Sequence, residues 1–556
     1  MLKTTVYRSF GRLVLLLSFY LAGCASLPSD VQRPVSSALA NNQDTRLGKA
    51  VATRAQAAGT RNDSGFALVG SAELAFTSRM TLIRAAEKTL DLQYYAIHAD
   101  DTTDRLFAAL REAAARGVRV RILLDDFNTA DKNVQVLKLA FEKNIEMRLF
   151  NPLPSSRGSG LWRIVSSLGD AARLQRRMHN KIFVADNAVA ITGGRNLGDT
   201  YFGQSDGVNF VDIDVLAAGR IARDLSRSFD QYWNNPLAYP VQSLVSVKDI
   251  EALKAKPVTA TASSNENPMP PASEPAPLDA NTSNKTTVTR VAVDPAGLTT
   301  TIAALPDSTD LRMLSWTWAA ATMLVDKPSK IADDADAAEE SNTTTVDGLL
   351  SLMALAKTDL LVVSPYFVPG PEMMKQFADI RQRGVRVRIL TNSLASNDAV
   401  AAHAGYARYR EGLIALGVEM YEMRSEQRGT VASFGSGSGS SGSSSGASRA
   451  SLHAKAVVVD NFLLVVGSMN LDLRSKLQNS EVAVVIRNRK LASEATALIE
   501  PGLTTGAYRV ERVNGQLIWR APAGSGLPDA TSEPDASLGL KLLVNVISPF
   551  APDEML

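Results

Sequence analysis

Two stretches of this sequence pair an imidazole with an ammonium group at the same spacing. His179 and Lys181 stand in HNKIFVAD (179–186), and His453 and Lys455 stand in HAKAVVVD (453–460). In an alternating, strand-like segment residues two apart share a face, so each His points with its Lys. An imidazole serves as nucleophile or proton donor near neutral pH, and an ammonium two residues on offers three N–H donors and a positive charge to phosphate oxygens. The chemistry this suits is phosphate handling. Both stretches end in an aspartate, Asp186 or Asp460, which is counted with the catalytic set as a motif member. Each precedes an asparagine and so also reads as a turn former or structural ion-pair partner, and no proton transfer is assigned to it. After an apolar run come GGRN (193–196) and GSMN (467–470). There glycine suits close backbone approach, and Asn196, Ser468 and Asn470 offer polar side chains to support a phosphate.

A lone His two residues before a Lys is a weak signal, and duplication changes that. The chain has four histidines, and two fall at equivalent points of a repeat. His98 and His403 lack such surroundings and read as packing or surface residues. A further internal match, RGVRVRIL, occurs at 116–123 and again, identically, at 383–390. Each copy follows an amphipathic stretch, Thr103 to Ala115 or Pro371 to Gln382, that closes on a glycine suited to a helix C-cap, and each then enters an alternating strand. With LDLQYY (90–95) and DLLVVS (359–364) as preceding strands, the repeat unit is strand, helix, strand.

A chain of 556 residues with 45% hydrophobic content can bury at least two cores. A formal net charge of +2 gives no electrostatic footprint for nucleic acid, so none is expected as partner. One cysteine excludes an intrachain disulfide and any multi-Cys metal site, and four histidines make a multi-His site improbable.

Both copies of HxKxxxxD, each followed by Gly-Gly or Gly-Ser and Asn, resemble the phospholipase D superfamily from about residue 70 to beyond 470. ITGGRNLGDTYFG (191–203), LLDD (123–126), FNP (150–152) and SPYFVP (364–369) are similar to its bacterial cardiolipin synthase branch, the C-type enzymes in particular. The resemblance implies an α/β fold of two phospholipase D-like lobes, each a mixed β-sheet flanked by helices, related by a pseudo-twofold axis with the active site at the interface. It implies His179 as nucleophile and His453 as general acid, then base, with the lysines and asparagines stabilising phosphoryl charge and no metal or other cofactor. In the superfamily an acidic residue beyond the Asn orients a catalytic histidine. Glu481 matches that pattern, and the first-half counterpart falls at Asp212. The activity implied is a phosphatidyltransferase making cardiolipin from phosphatidylglycerol and a second phospholipid in the membrane, through a phosphohistidine. The same residues would serve a hydrolytic phospholipase D. A nuclease of the superfamily and a non-enzymatic lipid-binding lipoprotein are weaker alternatives, and the oligomeric state stays open.

Lys3, Arg8 and Arg12 precede an apolar run from Leu13 to Leu21, too short to span a bilayer, which reads as an export signal over residues 1–23. Leu21 to Cys24 resembles the lipobox of bacterial lipoproteins, which implies lipidation of Cys24 in the cell envelope. Ala25 suggests the outer membrane and cardiolipin synthesis the inner one. Residues 24–65 read as a tether, 66–240 as the first lobe, 241–286 as a linker, 287–523 as the second lobe with flexible inserts at 332–345 and 427–448, and 524–556 as a tail. Within the tail, Leu538 to Phe550 reads as a core strand or docking helix, or as a second membrane contact. Arg173, Arg176 and Arg177 are candidates to attract anionic headgroups or to be solvated. Arg119 and Arg121 are expected toward solvent or under a helix, and Trp316 and Trp318 in a core or at a lipid-facing surface.

Overall fold

The computed structural model describes residues 27–60, 62–154, 157, 170–254, 290–293, 299–302, 305–332, 344–427, 448–548 and 552–553. The signal segment, Cys24, Ala25, the linker from 255 to 286 and most of both inserts lie outside the described residues.

The repeat builds two equivalent half-sheets. In the first, β1 (Ser64–Val69), β2 (Thr89–Tyr94), β3 (Arg119–Asp125), β4 (Ile145–Phe150), β5 (Ile182–Ala185), β6 (Val189–Gly193), β8 (Asp214–Gly219) and β9 (Ala238–Pro240) pair in the spatial order β9-β4-β3-β2-β5-β6-β8-β1. A short strand outside this sheet, β7 (Val208–Val211), precedes β8. The β2, β3 and β4 strands are parallel, as right-handed helical crossovers require, and the rest are antiparallel.

The second half-sheet comprises β10 (Thr317–Val325), β11 (Asp359–Val363), β12 (Arg386–Asn392), β13 (Glu419–Met423), β15 (Ala456–Val459), β16 (Leu463–Gly467), β17 (Val482–Arg487), β18 (Ala507–Val513) and β19 (Gln516–Arg520). It runs β10-β17-β16-β15-β11-β12-β13-β18-β19, with β14 (Ser448–Leu452) outside it. β1 pairs with β10 antiparallel, so the half-sheets join into one sheet of seventeen strands with the pseudo-twofold between these two strands.

The helices follow from local signals. Asp100 caps α3 (Asp101–Ala115) in a capping box with Thr103. α3 and α6 (Gly370–Gln382) are each followed by a glycine with positive φ, Gly117 at 94° and Gly384 at 80°, which turns the chain into β3 or β12. Each lobe has its own core, and a further core is shared: Phe66, Val211, Ile213 and Val215 of the first lobe pack with Leu361, Leu452, Ala454 and Val484 of the second.

Several boundaries differ from those read in the sequence. Residues 24–65 are not a tether where described: Arg46–Ala57 form α1 behind an Asn42–Asp44 turn, and the strap before it is tied down. Ser36 and Ala38 N–H groups donate to Asn234 and Asp230, and Arg121 and Arg148 donate to the carbonyls of Ser36 and Pro34. Such a strap binds through its backbone and so leaves no hydropathic trace. The linker does not begin at 241, since Val241 and Ile250 are buried and Val247–Lys254 is helical. Residues 305–316 serve the first lobe, with Leu305 in its core and Leu311, Leu314 and Trp316 packed on it. The tail is docked as well: Glu533 pairs with Arg410 at 2.8 Å, and α9 (Leu538–Ile547) packs on α7 (Val400–Ala415). Arg121 is wholly buried between Asp91 and Asp230, and Arg177 is wholly buried against Asp125, so neither is solvated.

Candidate active site

His179 begins the approach to β5 and His453 the approach to β15, and both are placed by backbone bridges that cross between the lobes. The His179 N–H donates to the Ser480 carbonyl at 2.9 Å, beside a bridge joining Met178 and Ser480. The His453 N–H donates to the Val211 carbonyl at 2.8 Å, where β14 runs parallel to β7. Because each bridge ends one residue before an acid, each imidazole meets a carboxylate of the other lobe. His179 Nδ1 lies 2.9 Å from Glu481 Oε2, and His453 Nδ1 lies 2.8 Å from Asp212 Oδ2. With Nδ1 engaged, each ring keeps Nε2 for a substrate.

The two glycine-containing turns carry these acids differently. A Cβ on Gly194 would lie 2.3 Å from Asp212 Oδ1, so the short acid fills the space of a side chain. In the second half Ser468 stands there, and its hydroxyl donates to Glu481 Oε2 at 2.5 Å. Ser468 thus supports the acid rather than a phosphate.

Lys181 Nζ donates to the His179 carbonyl at 2.8 Å, and Lys455 Nζ to the His453 carbonyl at 2.5 Å. His179 and His453 are 8% and 5% exposed and the lysines less, so the site is a narrow, largely dehydrated opening in which charge interactions are strong. Burial pushes Lys181 down to about 7 and Lys455 to about 8. Burial, followed by the charges of Lys181, Lys455 and His453, holds His179 well below the ordinary imidazole value. Burial and Lys455 lower His453 too, but its hydrogen bond to Asp212 and that group's charge oppose them. The two carboxyls diverge. Burial raises Glu481 to about 7, whereas for Asp212 burial is outweighed by the bond to His453 and the charges of His453, Lys455 and Arg195.

The remaining sequence-predicted residues divide. Asn470 is buried and keeps its Oδ1 without a hydrogen-bond partner among the described residues. Asn196 is engaged by protein, accepting from the Ala96 N–H at 3.2 Å and donating to the Tyr201 hydroxyl at 2.9 Å, so it braces an aromatic wall. Asp186 and Asp460 hold turns. Each sits at a hairpin turn with φ of 51°, beyond the far end of the four-residue strand that follows its His and Lys. Asp186 accepts the N–H groups of Glu87, Lys88 and Thr89, and Asp460 those of Lys357, Thr358 and Asp359. Side chains alternate along a strand, but a carboxylate five residues past the lysine is about 16 Å from it in extended chain.

Other groups escaped sequence reading. Tyr95 stands edge-on to His179 at 5.0 Å, and Tyr201 and Phe210 flank His453 at 5.3 and 4.9 Å. Tyr366 donates to Asp398 at 2.8 Å, and Arg474 is near enough to lower the His179 pKa. The repeat could have pointed to Tyr95 and Tyr366, which end or follow the equivalent strands β2 and β11; nothing local marks Arg474 or Asp398. Among the described residues no group of three His, Cys, Asp or Glu could hold a metal ion.

Residues 80–233 and 349–501 match the family described as "Cardiolipin synthase, PLD-like domain", one copy per lobe. Cardiolipin synthase C of Escherichia coli K12 is 37% identical over 424 residues, 75% of this chain and 80% of that one. A Helicobacter pylori protein (strain ATCC 700392 / 26695) is 30% identical over 96% of this chain and 97% of its own. Among solved structures, phosphatidylserine synthase of Haemophilus influenzae Rd KW20 superposes with a TM-score of 0.49 at 13% identity, covering 83% of this chain and 91% of that one. With a duplicated domain that spans both half-sites and a curated relative similar along most of its length, the chain belongs to the cardiolipin synthase family of the phospholipase D superfamily and is a phosphatidyltransferase of phospholipase D type.

Proposed function

We propose that this protein makes cardiolipin at a membrane of the bacterial envelope, joining phosphatidylglycerol and a second phospholipid by transfer of a phosphatidyl group. The observation that carries the mechanism is the crossed pair of His–carboxylate contacts with carboxyls of opposite tendency. An ionised Asp212 favours the imidazolium of His453, the form that donates a proton, whereas His179 held low is neutral and has a free lone pair at Nε2. Nε2 of His179 attacks phosphorus, and the bond from phosphorus to the leaving headgroup oxygen breaks as His453 delivers its proton to that oxygen. A phosphohistidine results. The acceptor hydroxyl then gives its proton to His453 and attacks phosphorus, and the phosphorus–nitrogen bond breaks, restoring both histidines. Lys181, Lys455 and Asn470 surround the phosphoryl oxygens on which negative charge builds.

Lipidation at Cys24 would hold the enzyme beside its substrates, in the outer membrane if Ala25 sorts it or in the inner membrane if synthesis does. The test is product analysis: purified full-length protein on vesicles of phosphatidylglycerol, alone or mixed with a zwitterionic phospholipid, with products identified by mass spectrometry. Cardiolipin with release of a free headgroup alcohol is expected. Phosphatidic acid as the sole product would make water the acceptor and the protein a hydrolase.

A further inference from the structure

The last helix presents an apolar face that the fold does not use. α9 docks through Val544, with Leu540 and Ile547, onto Leu394, Val400 and Ala404. Its other side leaves Leu538 80% exposed, Leu542 65%, Leu543 46% and Val546 64%. Four of the twelve exposed large hydrophobic side chains among the described residues therefore share ten residues, which makes a ridge and not scatter. The helix has no carboxylate, and its one charge is Lys541.

The position of the ridge gives it meaning. Leu394 and Val400, on which α9 rests, flank the loop bearing Asp398. Asp398 accepts the Tyr366 hydroxyl, and its charge is felt by Tyr201 and Lys455 inside the site. The ridge is thus attached to the rim of the catalytic opening. A second copy of the chain is a poor occupant, because four side chains on a three-turn helix fall well short of the roughly 800 Å² per partner that a stable dimer buries. A cationic helix without carboxylates and with leucines outward fits an anionic lipid surface.

We propose that α9 lies in the surface of an anionic phospholipid bilayer, with Leu538, Leu542 and Val546 among the acyl chains and Lys541 at the headgroups, so that the catalytic opening meets lipid at the depth of the phosphodiester. The consequence for catalysis rests on the phosphatidyl-transfer reading, while insertion itself does not.

The experiment uses the full-length chain with Cys24→Ser, so that one introduced thiol carries an environment-sensitive NBD label. At Leu542→Cys, adding phosphatidylglycerol vesicles should raise and blue-shift the emission, and acyl-chain-brominated lipid should quench it. At Met313→Cys, an 81% exposed site on the first lobe, neither should happen. Absence of quenching at 542, or equal quenching at 313, overturns the proposal. So does an emission rise at 542 with protein concentration in the absence of vesicles, which would assign the ridge to a second copy. In parallel, Leu542→Glu with Val546→Glu should lower turnover of vesicle lipid about tenfold or more while leaving a water-soluble phosphodiester and the thermal midpoint unaffected. Equal loss on both substrates counts against it. Quenching at 542 in a protein that turns over no phospholipid would uphold the insertion and sink the proposed activity.

Discussion

Two imidazoles with the same local motif are made unequal by the acids opposite them. His453 faces Asp212, which its surroundings keep below the usual carboxylate value, and His179 faces Glu481, which burial pushes up to about 7. Their replacements should therefore differ before steady state. With a labelled phosphodiester whose leaving group needs no proton, His453→Ala should still trap label on the protein and His179→Ala should not, although both lose steady-state activity by orders of magnitude. The opposite trapping pattern would exchange the roles. Asp212 also sets a pH limit. Activity that needs protonated His453 falls as pH rises through that group's pKa, and Asp212 works to raise that pKa. Asp212→Asn should accordingly move the alkaline limb of kcat/KM to lower pH and cut the plateau by roughly 10²–10⁴-fold. A lower plateau with an unmoved limb would mean that Asp212 does not tune His453.

At the scale of elements, the motif's spacing belongs to a hairpin. His and Lys lie at one end of β5 or β15, and the aspartate turns the chain at the other end, where it gathers three backbone N–H groups from the start of β2 or β11. Asp186→Ala or Asp460→Ala leaves those donors without their acceptor and introduces a residue poorly suited to positive φ, at a cost of about 1–3 kcal/mol. Each variant should unfold several degrees lower in a thermal melt and keep kcat/KM within a few-fold of the parent when assayed well below its midpoint. An inactive variant with an unchanged midpoint would return these residues to the catalytic set. The turns after β6 and β16 are as constrained: a Cβ on Gly467 would lie 2.3 Å from the Val482 carbonyl oxygen, so strand pairing excludes any larger residue.

A single seventeen-stranded sheet runs through both lobes, and besides a large core in each lobe there is one that draws on both. Unfolding should therefore be a single cooperative transition, with calorimetric and van't Hoff enthalpies in agreement. Two resolved transitions would show lobes that fold independently. Residues 27–254 and 305–556 produced as separate chains should each be insoluble or inactive, since separation bares the β1 and β10 edges and strips each histidine of its acid. No described helix is long and apolar enough to cross a membrane. With Cys24 as the only thiol in the chain, Cys24→Ser should abolish lipidation and alter both mass and membrane extraction. Unchanged values for both would remove the lipid anchor from the proposal.

The sequence by itself determined the duplication, the strand, helix, strand repeat unit, the turn-forming capacity of Asp-Asn and the residue types that handle phosphate, because repeats, strand alternation and turn chemistry are local and leave their period in the chain. The resemblance to the phospholipase D superfamily also pointed to Glu481 and Asp212 as orienting acids. Which histidine each acid serves is decided between strands more than two hundred residues apart, where Met178 meets Ser480 and Leu452 meets Val211. No local pattern encodes that pairing. The same holds for the strap around Ser36, bound through backbone groups to buried arginines, and for Arg121 and Arg177, whose charges are legible in the chain while the buried carboxylates that pair with them are not. Charged side chains look alike in sequence whether they face water or a partner, and only the packing of distant strands supplies the partner.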